Sequence, residues 1–184
     1  MFIQTHDTPN PNALKFLLER EISPAQPVYF DEKDKCSNSV LARRLFSIKE
    51  VEAVFLGKDF ITITKSKGGD WDELKPEILI AIHDHFEAGL PVFDVEIEKE
   101  VLKNKGNSSI EQEIIDIIDS KVRPSVAMDG GDIEYYSFEN GIVRLRLKGA
   151  CSGCPSSTIT LKRGIESLLK FYIPEVEAVE AIND

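Results

Sequence analysis

Apolar positions along the chain change their period several times, and each change marks an element. Phe2-Ile3 opens an apolar stretch that breaks at TPNPN (residues 8–12), where Pro9 and Pro11 impose extended or turn backbone, and apolar spacing resumes from Ala13 to Leu18. This predicts a strand, a rigid Pro-Asn loop whose surface is a partner-contact candidate, and a second strand; Val28–Phe30 adds a short third. Val40, Leu41, Leu45, Phe46 and Ile48 then fall near helical spacing behind Asn38 or Ser39, either of which can cap a helix. Val51–Leu56 and Phe60–Thr64 are rich in β-branched and aromatic residues and meet across Gly57-Lys58-Asp59, the pattern of a hairpin. Ile78, Leu79, Ile82 and Phe86 mark one face of a helix that Gly89 is placed to end, with Pro76 expected near its first turn. A strand is predicted from Val92 (VFDVEIE).

The polar run KEVLKNKGNSS has little to bury and reads as a linker. Ser109 and Gln112 fit the Ser-x-x-Gln capping box, and Ile110, Ile114, Ile117, Ile118 and Val122 form a helical stripe expected to stop or kink at Pro124. A turn at DGGD (residues 129–132) leads to a strand through Phe138, and Asn140-Gly141 joins it to Ile142–Leu147 as a hairpin. From Pro155 a helix carries Leu161, Ile165, Leu168, Leu169 and Tyr172 on one face, and Val176–Ile182 closes the chain as a strand. The expected fold class is α+β, in two small domains, each a short, mostly antiparallel sheet with helices packed on one face. The expected boundaries are an N-terminal domain over residues 1–98, a linker over 99–109 and a C-terminal domain over 110–184.

Charge narrows the partners. The formal net charge is −10, with 32 acidic against 22 basic side chains, the wrong sign for an affinity built on neutralising phosphates, so nucleic acid is not expected. No apolar run reaches the roughly 18 to 20 residues of a membrane helix, and MFIQTHDTPNPN lacks the basic region and apolar core of a signal peptide. An aqueous location is expected: cytoplasmic for a bacterial chain, or the mitochondrial matrix for a processed eukaryotic one.

Of three cysteines, Cys36 stands alone before a helix and reads as a surface or semi-buried thiol, whereas Cys151 and Cys154 form GACSGCP (residues 149–155). Cys-x-x-Cys spacing lets two sulfurs face one point, which suits tetrahedral zinc, an iron-sulfur cluster or a reversible disulfide. Gly149 and Gly153 permit a tight turn whose amides can point at sulfur, and Pro155 fits the first position of a helix, leaving Cys154 near an N-cap that favours thiolate. No other Cys or His follows residue 100, so a four-thiolate cluster or a zinc site would be completed most simply by a second chain across a two-fold axis. A thiol-disulfide oxidoreductase using Cys151 and Cys154 is the alternative; its usual intervening proline is here Ser152-Gly153.

The other candidates have plain readings. Asp129 and Asp132 fit a sharp turn better than paired acid-base carboxylates. His83 and His85 lie two apart on a helix, on different faces, and read as ordinary helix residues. Arg144, Arg146 and Lys148 share one strand face leading to the cysteine loop; a solvated face is the default, and with Lys162 and Arg163 the alternative is to offset cluster charge or guide an acidic client. Gly164, inside a helix, marks either a close approach at a dimer contact or simple tolerance. No catalytic triad, phosphate loop or cofactor fingerprint is present, so the chain is not expected to be an enzyme.

The run from Asp129 to Lys170, with its DGGD turn, hairpin and Gly-x-Cys-x-x-Cys-Pro leading into a helix, resembles the C-terminal domain of the NifU-like (Nfu) iron-sulfur carrier family. TPNPNALKF, FLGKDFITITK and WDELKPEIL are similar to the separate Nfu N-terminal domain. The resemblance implies a cluster scaffold or carrier: a [4Fe-4S] cluster held through Cys151 and Cys154 and shared between two chains, received from an upstream scaffold. It would be passed to apo-proteins such as lipoyl synthase and aconitase-like enzymes.

Overall fold

The computed structural model describes residues 2–23, 27–94, 109–152 and 155–182, with residues 155–158 described by backbone alone. The chain forms two compact units, Met1–Leu102 and Lys103–Asp184, each α+β.

The first unit is a wholly antiparallel sheet in the order β1-β2-β5-β4-β3, built from β1 (Ile3–Asp7), β2 (Ala13–Leu18), β3 (Val28–Phe30), β4 (Val51–Leu56) and β5 (Phe60–Lys65). Alternation puts Leu14, Phe16 and Leu18 of β2, Val54 and Leu56 of β4, and Ile61 and Ile63 of β5 into one core. Two helices, α1 (Val40–Phe46) and α2 (Trp71–Glu87), close that core with Leu41, Leu45, Leu74, Ile78 and Ile82. Ser39 is the N-cap of α1, accepting from Ala42 N–H at 3.1 Å while its own hydroxyl donates to the Val92 carbonyl at 2.8 Å. Gly89 ends α2 at φ +63°, with Gly89 N–H on the Phe86 carbonyl and Leu90 N–H on the His85 carbonyl, the Schellman pattern.

Pro76 is the sixth residue of α2, just past the first turn near which it is expected; Asp70 caps the helix through Asp72 N–H, and Pro76 is exposed. One expectation here needs correction. Val92–Asp94 is bent rather than extended, because its polar backbone serves the start of α1: Val92 O accepts from Leu41 N–H and Asp94 N–H donates to Asn38 O. The remainder of that predicted strand, residues 95–98, and residues 99–108 of the predicted linker lie outside the described residues. The TPNPN loop is held from within. Thr8 Oγ1 bonds the Asn10 and Ala13 carbonyls, Asn12 N–H bonds Asn10 Oδ1, and Trp71 Nε1 donates to the Pro11 carbonyl at 3.0 Å.

The second unit is a three-stranded sheet, β6 (Gly131–Glu139), β7 (Ile142–Gly149) and β8 (Ala178–Ile182), in that order. β6 and β7 form an antiparallel hairpin across Asn140 (φ +51°) and Gly141 (φ +76°), as the Asn-Gly dipeptide requires. β7 and β8 are parallel, joined by the long helix from Pro155 to Tyr172. Ahead of the sheet lie α3 (Ser109–Ile117), a single π turn (Ile118–Val122) and α4 (Arg123–Met128); the Pro155–Tyr172 helix is α5. Ile114, Ile118, Val122 and Val126 of the first three segments pack with Ile133, Val143, Leu145, Ile165 and Leu169. Tyr172, expected on that face, is 43% exposed beyond it.

Pro124 does not stop the helix, which passes from α3 through the π turn into α4. The Arg123 N–H reaches back five residues to the Ile118 carbonyl, and this wider turn absorbs the bond that Pro124 cannot make. It also keeps Ile114, Ile118, Val122 and Val126 on one face, where four-residue spacing in an unbroken α-helix would drift around the axis. Ser109 is the first helical residue, and Gln112 reaches forward to Asp116 at 3.0 Å rather than back to form a capping box. Among the described residues no helix is long and apolar enough to cross a membrane.

His85 is 0% exposed, and its ring nitrogens make no well-aligned hydrogen bond among the described residues, although the Pro91 backbone lies close enough to favour the charged ring. Burial, reinforced by Arg44 and Arg20, pushes its pKa below 6.5. The folded chain thus takes up this proton less readily than the unfolded one, so the stability carried by the neutral ring is present above about pH 6.5 and lost as pH falls through the folded value. His85→Leu is expected to gain up to about 1 kcal/mol at neutral pH, by removing buried polar atoms that are poorly hydrogen-bonded. Urea unfolding at about pH 7.5 and about pH 5.5 should show a smaller acid loss in the variant than in wild type; equal losses would assign the dependence to another group.

Candidate functional site

The cysteine loop is set by the hairpin beneath it. Gly131, the first residue of β6, pairs with Gly149, the last of β7. Gly130 and Gly149 both hold positive φ, +78° and +65°, at the two ends where the chain turns sharply. Ala150 N–H donates to the Gly130 carbonyl at 3.2 Å, and Ser152 N–H to the Gly149 carbonyl at 3.0 Å. These two amides close the turn; the expectation that loop amides point at sulfur also concerns Gly153 and Cys154, which lie outside the described residues.

Cys151 is 7% exposed and belongs to the core of the second unit. Its thiol lies over the bare Cα of Gly131: a Cβ there would stand 2.6 Å from Cys151 Sγ and 2.8 Å from the Lys148 carbonyl. The DGGD turn and the cysteine loop are thus one packed unit. Gly153 and Cys154 lie outside the described residues; α5 begins at Pro155, as its place in the motif predicts.

The two aspartates of DGGD have different surroundings. Asp129 is exposed at the C-cap of α4. Asp132 is buried, its Oδ1 3.1 Å from Arg123 Nε but out of hydrogen-bond alignment, and burial raises its carboxyl pKa despite the nearby guanidinium. Arg123 also meets Asp119 at 3.0 Å and donates to the Ile133 carbonyl at 2.9 Å.

Sequence reading missed both Gly131 as the seat of the thiol and Arg123 as the tie to the turn. The neighbourhood of the first was visible in principle, because counting the hairpin back from Asn140-Gly141 brings DGGD opposite the cysteine loop, though one residue out of the observed register. The basic stripe is already neutralised: Arg144 meets Glu139 at 3.0 Å and Glu180 at 3.5 Å, Arg146 meets Glu134 at 3.4 Å and Lys148 meets Glu134 at 3.0 Å. His83 is exposed and His85 buried, so the helix separates them as expected. Cys36, 1% exposed in the core of the first unit, donates to the Lys33 carbonyl, and burial raises its pKa; it is neither a surface thiol nor a semi-buried one. Among the described residues, no three His, Cys, Asp or Glu side chains converge to hold a metal.

The family described as "Scaffold protein Nfu/NifU N terminal" matches residues 3–89, and the "NifU-like domain" matches residues 114–180. A human relative named NFU1 iron-sulfur cluster scaffold homolog, mitochondrial, is 46% identical over 185 residues, covering 100% of this chain and 73% of the human protein. The chain belongs to the Nfu family. The Drosophila ananassae protein of the same name is 44% identical over 188 residues, and this chain spans 65% of its length. The solution structure of a NifU-like protein from Saccharomyces cerevisiae matches 52% of this chain and 87% of its own, at 31% identity and a TM-score of 0.47. Both Nfu signatures thus fall in separate units, the DGGD turn and Cys151 within the NifU-like match and TPNPN within the N-terminal one.

The glycine contacts give a paired prediction for this Nfu chain. Gly131→Ala is expected to cost about 1 to 3 kcal/mol, since sulfur and a backbone carbonyl must both move. Gly164, exposed in α5 with nothing within 4 Å of a built Cβ, should respond oppositely, with Ala stabilising by about 1 kcal/mol. Urea midpoints at unchanged slope measure both.

Proposed function

We propose that this Nfu chain is a non-enzymatic iron-sulfur cluster carrier, its cargo a [4Fe-4S] cluster bound through Cys151 and Cys154 and completed by the same pair from a second chain. The homodimer forms on loading, receives its cluster from an upstream scaffold and surrenders it to apo-proteins by thiolate exchange. The observation that carries this reading is the seating of Cys151 on Gly131 in a tight strand-to-helix loop, within a match to the NifU-like domain. Burial of Cys151 also fits a ligand held for exchange better than an open redox nucleophile. Cubane clusters take four thiolates, and Cys36 is committed to the core of the first unit, so a second chain is the simplest source of the other two.

The N-terminal domain, residues 1–98, acts as the partner-contact module, joined by the linker over 99–109 to the cluster module over 110–184. The names of the relatives say mitochondrial, which favours the mitochondrion, and within it the matrix proposed for a processed eukaryotic chain, as the working compartment.

Anaerobic incubation with iron and sulfide is expected to load about four iron and four acid-labile sulfide per two chains, with the loaded form eluting as a dimer on sizing. Cys151→Ser and Cys154→Ser should each abolish uptake, while Cys36→Ser should leave it intact. A loaded monomer would refute the shared site; a catalytic Cys151–Cys154 disulfide cycle with no sulfide uptake would refute the carrier.

A further inference from the structure

We propose that Arg123 is a positioning residue for the Cys151 thiol, holding the seat on which the cluster ligand rests. The inference builds on the reading of Cys151 as that ligand. Arg123 closes the π turn through its N–H on the Ile118 carbonyl, so the irregular helix and the arginine are one feature. Its guanidinium then spans three groups: Asp119 Oδ1 at 3.0 Å on its own helix, Asp132 Oδ1 at 3.1 Å, and the Ile133 carbonyl at 2.9 Å. The last two immediately follow Gly131. β6 is an edge strand, with β7 on one side only, so Arg123 supplies an anchor that no neighbouring strand provides.

The seat has no slack. A methyl group at Gly131 would stand 2.6 Å from Cys151 Sγ, so a shift of a few tenths of an ångström in the start of β6 displaces the thiol or opens its cover. The Gly130 carbonyl, which holds Ala150 N–H, moves with the same segment. The planar fork donates to the Ile133 carbonyl while holding Asp119 and Asp132 as ion pairs in other directions, and a lysine ammonium on a flexible stem cannot fix that geometry. Arg123 thus links the helical layer to the cysteine loop without touching the cargo.

The test uses the full chain, with Cys36 as an internal reference because it is buried in the other unit. Site-resolved mass spectrometry follows iodoacetamide alkylation of apo wild type, Arg123→Met, Arg123→Lys and Val126→Ala, the last removing a buried side chain from the same helix and core while leaving the Arg123 contacts in place. Arg123→Met is expected to raise the Cys151 rate about tenfold, Arg123→Lys to fall between it and wild type, and Val126→Ala to stay within about twofold, because only the first two loosen the local seat. Cys36 should be unchanged throughout. After loading, Arg123→Met should lose its cluster to a chelator faster than Val126→Ala. Equal acceleration in Arg123→Met and Val126→Ala, or none in Arg123→Met, overturns the proposal. Wild type that takes up no iron or sulfide sinks the carrier reading instead, and the alkylation comparison still decides the role of Arg123.

Discussion

The contact between Cys151 Sγ and the side-chain-free Gly131 is the constraint around which the C-terminal unit is arranged. A thiol that must stay close to one geometry requires rigid backbone on every side of it. β7 and α5 flank the loop in sequence, and the Gly130 carbonyl holds it from beneath. Gly131 holds that place only if β6 begins there, which depends on the positive φ of Gly130 and on the anchoring of Asp132 and Ile133 by Arg123. Arg123 is in turn placed by the π turn that Pro124 and the four-residue spacing of the helix core call for. Helix irregularity and thiol position are two ends of one chain of contacts.

Much of this was legible wherever a local rule decides. Leu14, Phe16 and Leu18 could only face a core as a strand, Asn140-Gly141 could only turn a tight hairpin, and Gly89 marked the end of α2 because a left-handed residue is needed there. The two ends of the cysteine loop were legible for the same reason: Gly149 takes the left-handed backbone a glycine allows, and Pro155 opens α5.

What stayed hidden was decided by distant partners. Val92–Asp94 has the composition of a strand, yet its backbone is used by Asn38, Ser39 and Leu41 at the start of α1. The hairpin register shows the point most sharply. The two-residue turn sets Glu139 opposite Ile142, and even counting from there would oppose Gly131 to Ala150. The register shift between Tyr135 and Ser137 adds one residue to β6 and brings Gly131 to Gly149 instead. The period-two pattern gives no sign of it, because a bulge changes register only through the sheet it joins.

The same pairing logic limits what the basic strand can do for a cluster. Arg144, Arg146 and Lys148 looked able to offset thiolate charge, yet Glu134, Glu139 and Glu180 from the flanking strands already meet them. A cation engaged by a carboxylate presents little net field beyond a few ångströms, and salt screens the remainder. With a net charge of −10, the chain gains nothing from holding anionic cargo by long-range attraction. For the proposed carrier, retention would therefore fall to the thiolate bonds and to the rigidity of their seat. That is consistent with cargo meant to be released, because a partner's thiols can replace such bonds one at a time without first overcoming a surrounding cage of charge.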